Sequence, residues 1–178
     1  MDTNSPLALA LRAGLIAGAA ALVGAASPAS AQQSPLLLVQ SKDWSAVTAG
    51  AQKAKVCYAI TKPTKMEPAS LNHGEVFFFI SIWPGDNVRN EPSLQVGYSL
   101  KEGSKVTVEV DTQKFSMFTR GDGAWLQDKT DEVKLVDALK KGKKLTIGGQ
   151  SGRGNATTYA FSLQGFSGAL DAALKECK

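Results

Sequence analysis

Leu94-Gln95-Val96-Gly97-Tyr98-Ser99-Leu100 and, a few residues on, Val106-Thr107-Val108-Glu109-Val110-Asp111 carry apolar side chains at every second position. Successive side chains of an extended chain point to opposite faces, so this period of two predicts strands with one buried and one wet face. Gly103 lies in the polar link between them, as expected of antiparallel neighbours joined by a turn. Working outward, residues 114–119 read as a further strand ending before Gly121-Asp122-Gly123. Residues 76–83 are apolar without alternation through Phe77-Phe78-Phe79, which predicts a strand covered on both faces. Residues 44–48 and 56–61 form a pair across a turn containing Gly50, closed by Lys62-Pro63, and residues 145–149 and 158–163 complete the set. Short strands divided by Gly, Pro, Asn and Asp are the pattern of an all-β sandwich or barrel.

Two helices interrupt the strands. The first is expected at about residues 131–141, with Asp131 and Glu132 in its first turn, Lys140 and Lys141 in its last and Gly142 beyond. Those charges suit the partial charges at the two ends of a helix. The second begins near Ser167, read as the N-cap, and Leu170, Leu174 and Cys177 recur on one face. Cys177 therefore points toward the body of the protein.

The beginning of the chain bears on its destination. Residues 13–26 are uncharged and apolar and end in Ser27-Pro28-Ala29-Ser30-Ala31, a hydrophobic region followed by an A-x-A cleavage site. Only Arg12 supplies side-chain positive charge ahead of it, against Asp2. An uncleaved anchor over 7–26 would be interrupted by Arg12 and fall short of the roughly 20 apolar residues a spanning helix needs. The expectation is a signal peptide over 1–31, cleaved after Ala31, then a single domain over 32–178 in the periplasm or outside the cell, with no transmembrane anchor after cleavage. In such an oxidising compartment Cys57 and Cys177 are expected to form a disulfide. Closing a loop of that length is worth roughly 4 to 5 kcal/mol in the chain-entropy description.

Composition excludes some functions. With 43% hydrophobic residues the chain can build a core, and a net charge of +4 from 20 basic and 16 acidic residues lacks the dense basic stripe of a nucleic-acid-binding protein. A mild attraction to anionic surfaces is compatible with that charge.

From Trp44 onward the sequence resembles the invasion-associated locus B family of bacterial exported proteins. The resemblance rests on Trp44, Val56-Cys57-Tyr58-Ala59 with Lys62-Pro63, Gly97-Tyr98, Phe115 with Phe118-Thr119, and Ala124-Trp125. It continues through residues 148–154, which hold the Ser-x-Arg-Gly turn, and residues 159–170, which hold Gly-Phe-Ser-x-Ala-Leu, to the terminal Cys177. It implies an immunoglobulin-like antiparallel β-sandwich with a C-terminal helix and one short inserted helix, of the periplasm or outer surface, linked in pathogenic members to entry into host cells and so to virulence. It implies no known reaction.

The residues able to carry chemistry are few. His73, the one histidine, reads as a solvated loop residue rather than a general base, and no Gly-x-Ser-x-Gly or His-Glu-x-x-His occurs. With both cysteines oxidised no ligand set for a metal remains, and no cofactor is expected. The glycine-rich turn 148–155 could gather backbone N–H groups, Ser151 and Arg153 around an anion, though it lacks the lysine and following helix of a phosphate-binding loop and reads first as a strand connection. Arg120-Gly121-Asp122 is an RGD tripeptide in a turn, which admits an adhesion reading that unchanged cell adhesion in Asp122→Glu would remove. Trp125 is read as a core anchor first and as an exposed contact second.

Arg153, Ser151, Arg120, Asp122 and Trp125 are thus the candidate binding residues of a non-catalytic protein. Its expected partner is an envelope or host-surface component: a protein, an anionic glycan or a lipid head group, and not nucleic acid. Two alternatives stand beside this: a small hydrolase or lyase acting on an anionic substrate near Arg153, and an assembly or chaperone module using an exposed strand edge.

Overall fold

The computed structural model describes residues 34–178; the expected signal peptide and its cleavage point after Ala31 lie outside the described residues. In chain order come β1 (Leu36–Ser41), β2 (Trp44–Ala49), β3 (Val56–Thr61), β4 (Lys65–Glu67), β5 (Phe77–Trp83), β6 (Val88–Gln95), β7 (Lys105–Val110), β8 (Gln113–Arg120) and β9 (Gly123–Trp125). Then follow α1 (Lys129–Lys141), β10 (Lys144–Gln150), β11 (Ala156–Ser162) and α2 (Phe166–Glu176).

All strands join one antiparallel sheet in the order β1-β2-β3-β5-β6-β9-β8-β7-β10-β11-β4. The sheet must curl. Phe78 on β5 and Phe161 on β11 sit six strand intervals apart, which laid flat is roughly 29 Å at about 4.8 Å each. Their ring centroids are nevertheless only 6.0 Å apart. The two faces of the expected sandwich are therefore the two halves of one sheet folded over a shared core. The chain crosses between the halves at Lys62-Pro63-Thr64, where β3 gives way to β4 and Thr64 N donates to Ala160 O at 2.7 Å.

Alternation placed the core as expected, with Val106, Val108, Val110, Leu94, Val96 and Leu100 all buried. The strand through Leu94 is shifted, however: pairing runs over Val88–Gln95 and stops there. Beyond it the amides are claimed by turns, Val96 N donating to Asp122 O, Gly97 N to His73 O and Leu100 N to Gly121 O. The earlier half of β6 was hidden by Asn90 and Pro92. Asn90 takes a left-handed φ of 58° at an irregularity in the β5–β6 register, and Pro92 sits just past the last β9 pairing, Ser93↔Trp125, where one side of β6 has no ladder partner.

The Phe77-Phe78-Phe79 run is covered fully on one face only. Phe78 is in the core, while half-buried Phe77 and Phe79 shield each other on the outer face, with Tyr58 against Phe79 and the Lys62 ammonium 5.0 Å over Phe77. Among the described residues no second layer lies over them. The first helix agrees with expectation to within two residues and spans from β9 to β10, three places apart in the sheet, packing on β6, β7 and β8.

At the second helix the cap differs. Gly165, not Ser167, holds the N-cap position, with φ of 90° and no side-chain cap. A Cβ there would collide with the Ser41 carbonyl, so the close approach of β1 requires glycine. Phe166, Ala169, Leu170 and Ala173 are buried, and the helix packs on β1, β2 and β3. At its end Cys177 is bonded to Cys57 on β3, with Cα atoms 5.9 Å apart and both residues buried. An ion pair between Lys55 and Glu176, at 2.7 Å, flanks the bridge.

Candidate functional site

Two loops meet at one end of the sheet and, with Tyr98 and Ser99, line a half-open cavity of about 480 Å³. One is the turn between β10 and β11. Four of its backbone donors are engaged: Ser151 N reaches Asn155 O, Gly152 N reaches Ser99 O, Gly154 N reaches Ser151 O, and Asn155 N reaches Ser151 Oγ. Of the concavity of N–H groups that its glycines suggested, only the Arg153 N–H is left without a partner among residues 151–155. What the turn presents to the cavity is the Arg153 guanidinium and the polar side chains of Ser151 and Asn155.

The other loop follows β4. Asn72 Oδ1 accepts from Gly74 N, and Gly74, at φ 61°, lies so close to Gly97 that a Cβ on either would meet the other's backbone. This glycine-to-glycine seat presses His73 inward. His73 is only 5% exposed, which corrects the expectation of a solvated loop histidine. Both its ring nitrogens are engaged, Nδ1 with the Tyr159 hydroxyl at 3.1 Å and Nε2 with Pro68 O at 3.0 Å.

Donor and acceptor roles follow from elimination. Pro68 O can only accept, so Nε2 carries a proton; in the neutral ring Nδ1 then accepts from Tyr159. Tyr159 in turn accepts from Tyr98 at 2.7 Å, and Tyr98 accepts from Thr157 at 2.7 Å. Burial holds the Tyr159 hydroxyl well above the usual phenol range, so it stays protonated. The network rigidifies the cavity floor. Tyr159→Phe should leave His73 Nδ1 and Tyr98 each short of a partner, costing roughly 1 to 3 kcal/mol in chemical denaturation, whereas Tyr98→Phe, half-buried and open to water, should cost less.

The remaining candidates lie elsewhere. Arg120 and Asp122 are both exposed at the β8–β9 hairpin, where Gly121 has φ of 60° and the Gly121 and Asp122 carbonyls accept from Leu100 and Val96. Trp125 is not in the core: it is half-buried on the outer face, directly across from Phe118, with ring centroids 6.1 Å apart. Arg120 and Trp125 line a groove of about 500 Å³ that shares no lining residue with the cavity at Arg153. In that groove burial holds the Glu91 carboxyl above its usual value, an effect opposed by Lys129 and reinforced by Glu132. A raised folded-state value means that Glu91 favours the fold only when neutral. Its stabilisation is full below the unfolded-chain value of 4.5 and lost as pH rises through the folded one. Glu91→Gln should thus raise the unfolding free energy in urea denaturation at neutral pH by under about 1 kcal/mol, since the group is still partly solvated, and change nothing in strong acid.

Among the described residues no cluster of His, Cys, Asp or Glu is arranged to hold a metal ion, and no helix is long and apolar enough to cross a membrane. A curled antiparallel sheet tethered to a C-terminal helix by a disulfide, with a polar cavity at one end, defines a small all-β protein. The family described as Invasion associated locus B (IalB) protein matches residues 44–174, and the chain belongs to that family. Among solved structures it is similar to the crystal structure of invasion associated protein B from Bartonella henselae, with 22% sequence identity and a TM-score of 0.57 over 79% of this chain and 97% of that one. No curated protein matches it in sequence.

Proposed function

We propose that this is an exported, non-catalytic binding protein, freed by cleavage after Ala31, that holds an anionic group of an envelope or host-surface component in the cavity at Arg153. The observation that carries this reading is the lining: a guanidinium with no carboxylate partner among the described residues, set among hydroxyls and two carboxamides, with no acidic residue in the wall. Such a wall favours an anion and offers it directional donors. The name of the Bartonella protein, invasion associated, agrees with a role at a surface. A non-catalytic role is supported by His73, whose two nitrogens are both committed to structural bonds.

Affinity capture from envelope fractions tests the reading. The protein should retain an anionic component reproducibly, and Arg153→Ala should retain roughly tenfold less, the loss of one charge-assisted contact. Equal retention by both would overturn it, and turnover of a substrate library would establish the hydrolase or lyase instead.

A second reading, an assembly module that takes up a partner's strand, is favoured by β1. Its outer edge has no partner strand among the described residues, it carries no charge, and Leu36, Leu37 and Val39 are exposed. The opposite edge, β4, is short, contains Lys65 and Glu67, and is followed by Pro68. Val39→Lys should abolish partner uptake on this reading and leave cavity binding unchanged.

A further inference from the structure

The groove between β8, β9 and the start of α1 has a floor whose construction calls for a ligand. Trp125 lies two residues after Gly123 on the same face, and a Cβ on Gly123 would collide with Cη2 at the tip of the indole. The tip of the indole therefore overlies bare backbone at Gly123, and Trp125 lines the groove. Phe118, its cross-strand partner, is tilted 34° to it and 39% exposed. The two rings make a continuous apolar platform open to water.

The rim is polar and charge-balanced. Lys129 binds both carboxylate oxygens of Glu132, at 3.0 and 3.1 Å, so that pair is satisfied. Glu91, Arg120 and Gln127 also line the groove, and none of their side chains has a hydrogen-bond partner among the described residues. Covering Gly123 would explain the indole alone. It does not explain why an exposed phenyl ring and three planar polar groups, none engaged with another side chain, border the same groove.

We propose that this groove is a second binding site, for a pyranose ring of an uncharged glycan. The aliphatic C–H face of a pyranose is flat and weakly positive and fits the negative face of an aromatic ring. Carboxylate, guanidinium and carboxamide are each planar and two-pronged, matching the paired hydroxyls at the edge of such a ring. With Glu91 and Glu132 balanced by Arg120 and Lys129, the site holds no net attraction for an anion. This distinguishes it from the cavity at Arg153.

Titration of the purified protein with cellotriose, maltotriose and chitotriose, followed by NMR, provides the test. At least one sugar should shift the Trp125 indole N–H resonance while those of Trp44 and Trp83 stay in place. Trp125→Ala should weaken binding roughly tenfold, and Gln127→Ala, an exposed change that leaves the fold intact, should weaken it measurably. Arg153→Ala should leave it unchanged, so failure here and failure at the cavity are separable. If no sugar moves Trp125, the proposal is wrong. If an arginine-rich peptide moves it and sugars do not, the platform serves a cationic protein segment by cation–π contact.

Discussion

Replacing both Cys57 and Cys177 with alanine should lower the folding free energy by roughly 4 to 5 kcal/mol and drop the thermal midpoint by about 10 °C or more. The bridge closes 120 residues of sequence, nearly the whole folded region, so its loss enlarges the unfolded ensemble more than any shorter link would. A local effect should accompany the global one. The C-terminal turn of α2 is held by Ala173 and Cys177 against β3, and otherwise by the solvent-accessible Lys55–Glu176 pair, which is worth little alone. Hydrogen exchange at residues 172–176 should therefore quicken by more than the drop in global stability accounts for. Reduction of the native protein should reproduce both effects. An unchanged midpoint in the double variant would show that the clamp is incidental to stability.

How much of this was legible beforehand depends on the range of the signal. Val106, Val108 and Val110 announce their strand because alternation is local, and Asp131, Glu132, Lys140 and Lys141 announce α1 because helix-end charge acts within a turn. Cysteine count and compartment sufficed for the bridge. The strand through Asn90 and Pro92 was not legible, because both residues oppose regular pairing and are tolerated only where the ladder is already broken. Nor was the single curled sheet, since period two specifies faces and says nothing of which strands become neighbours.

The sites divide in the same way. Ser151 and Arg153 were singled out from a local glycine-rich turn, and both line the cavity. His73 was misjudged because its burial depends on Gly74 meeting Gly97 and on Tyr159, 86 residues away. Two single glycines, 23 positions apart in sequence, give no sign that they touch. Trp125 carried a better clue than was used: a glycine two positions before an aromatic residue in an alternating segment places both on one face, which is the arrangement that lets a ring lie down.

Trp44→Ala should destabilise the protein by roughly 3 to 5 kcal/mol, the range for removing a large buried aromatic. Trp44 is fully buried; its ring meets Phe166 edge-on at 4.8 Å and Phe78 at 6.4 Å, and its Nε1 donates to Ser162 O at 2.9 Å. One side chain thus joins β2, β5, β11 and α2. Trp44→Phe should keep part of the ring packing but orphan the Ser162 carbonyl, for a smaller loss of roughly 1 to 3 kcal/mol. Urea denaturation should show lower midpoints with an unchanged slope for both variants. Because Trp44 anchors the start of α2 through Phe166 and the disulfide anchors its end, the two act on one helix and should not add. Where the bridge is absent and α2 can undock, Phe166 leaves with it, and Trp44→Ala should then cost less than in the intact protein. Strict additivity in that double-mutant cycle would mean that α2 stays docked without its clamp.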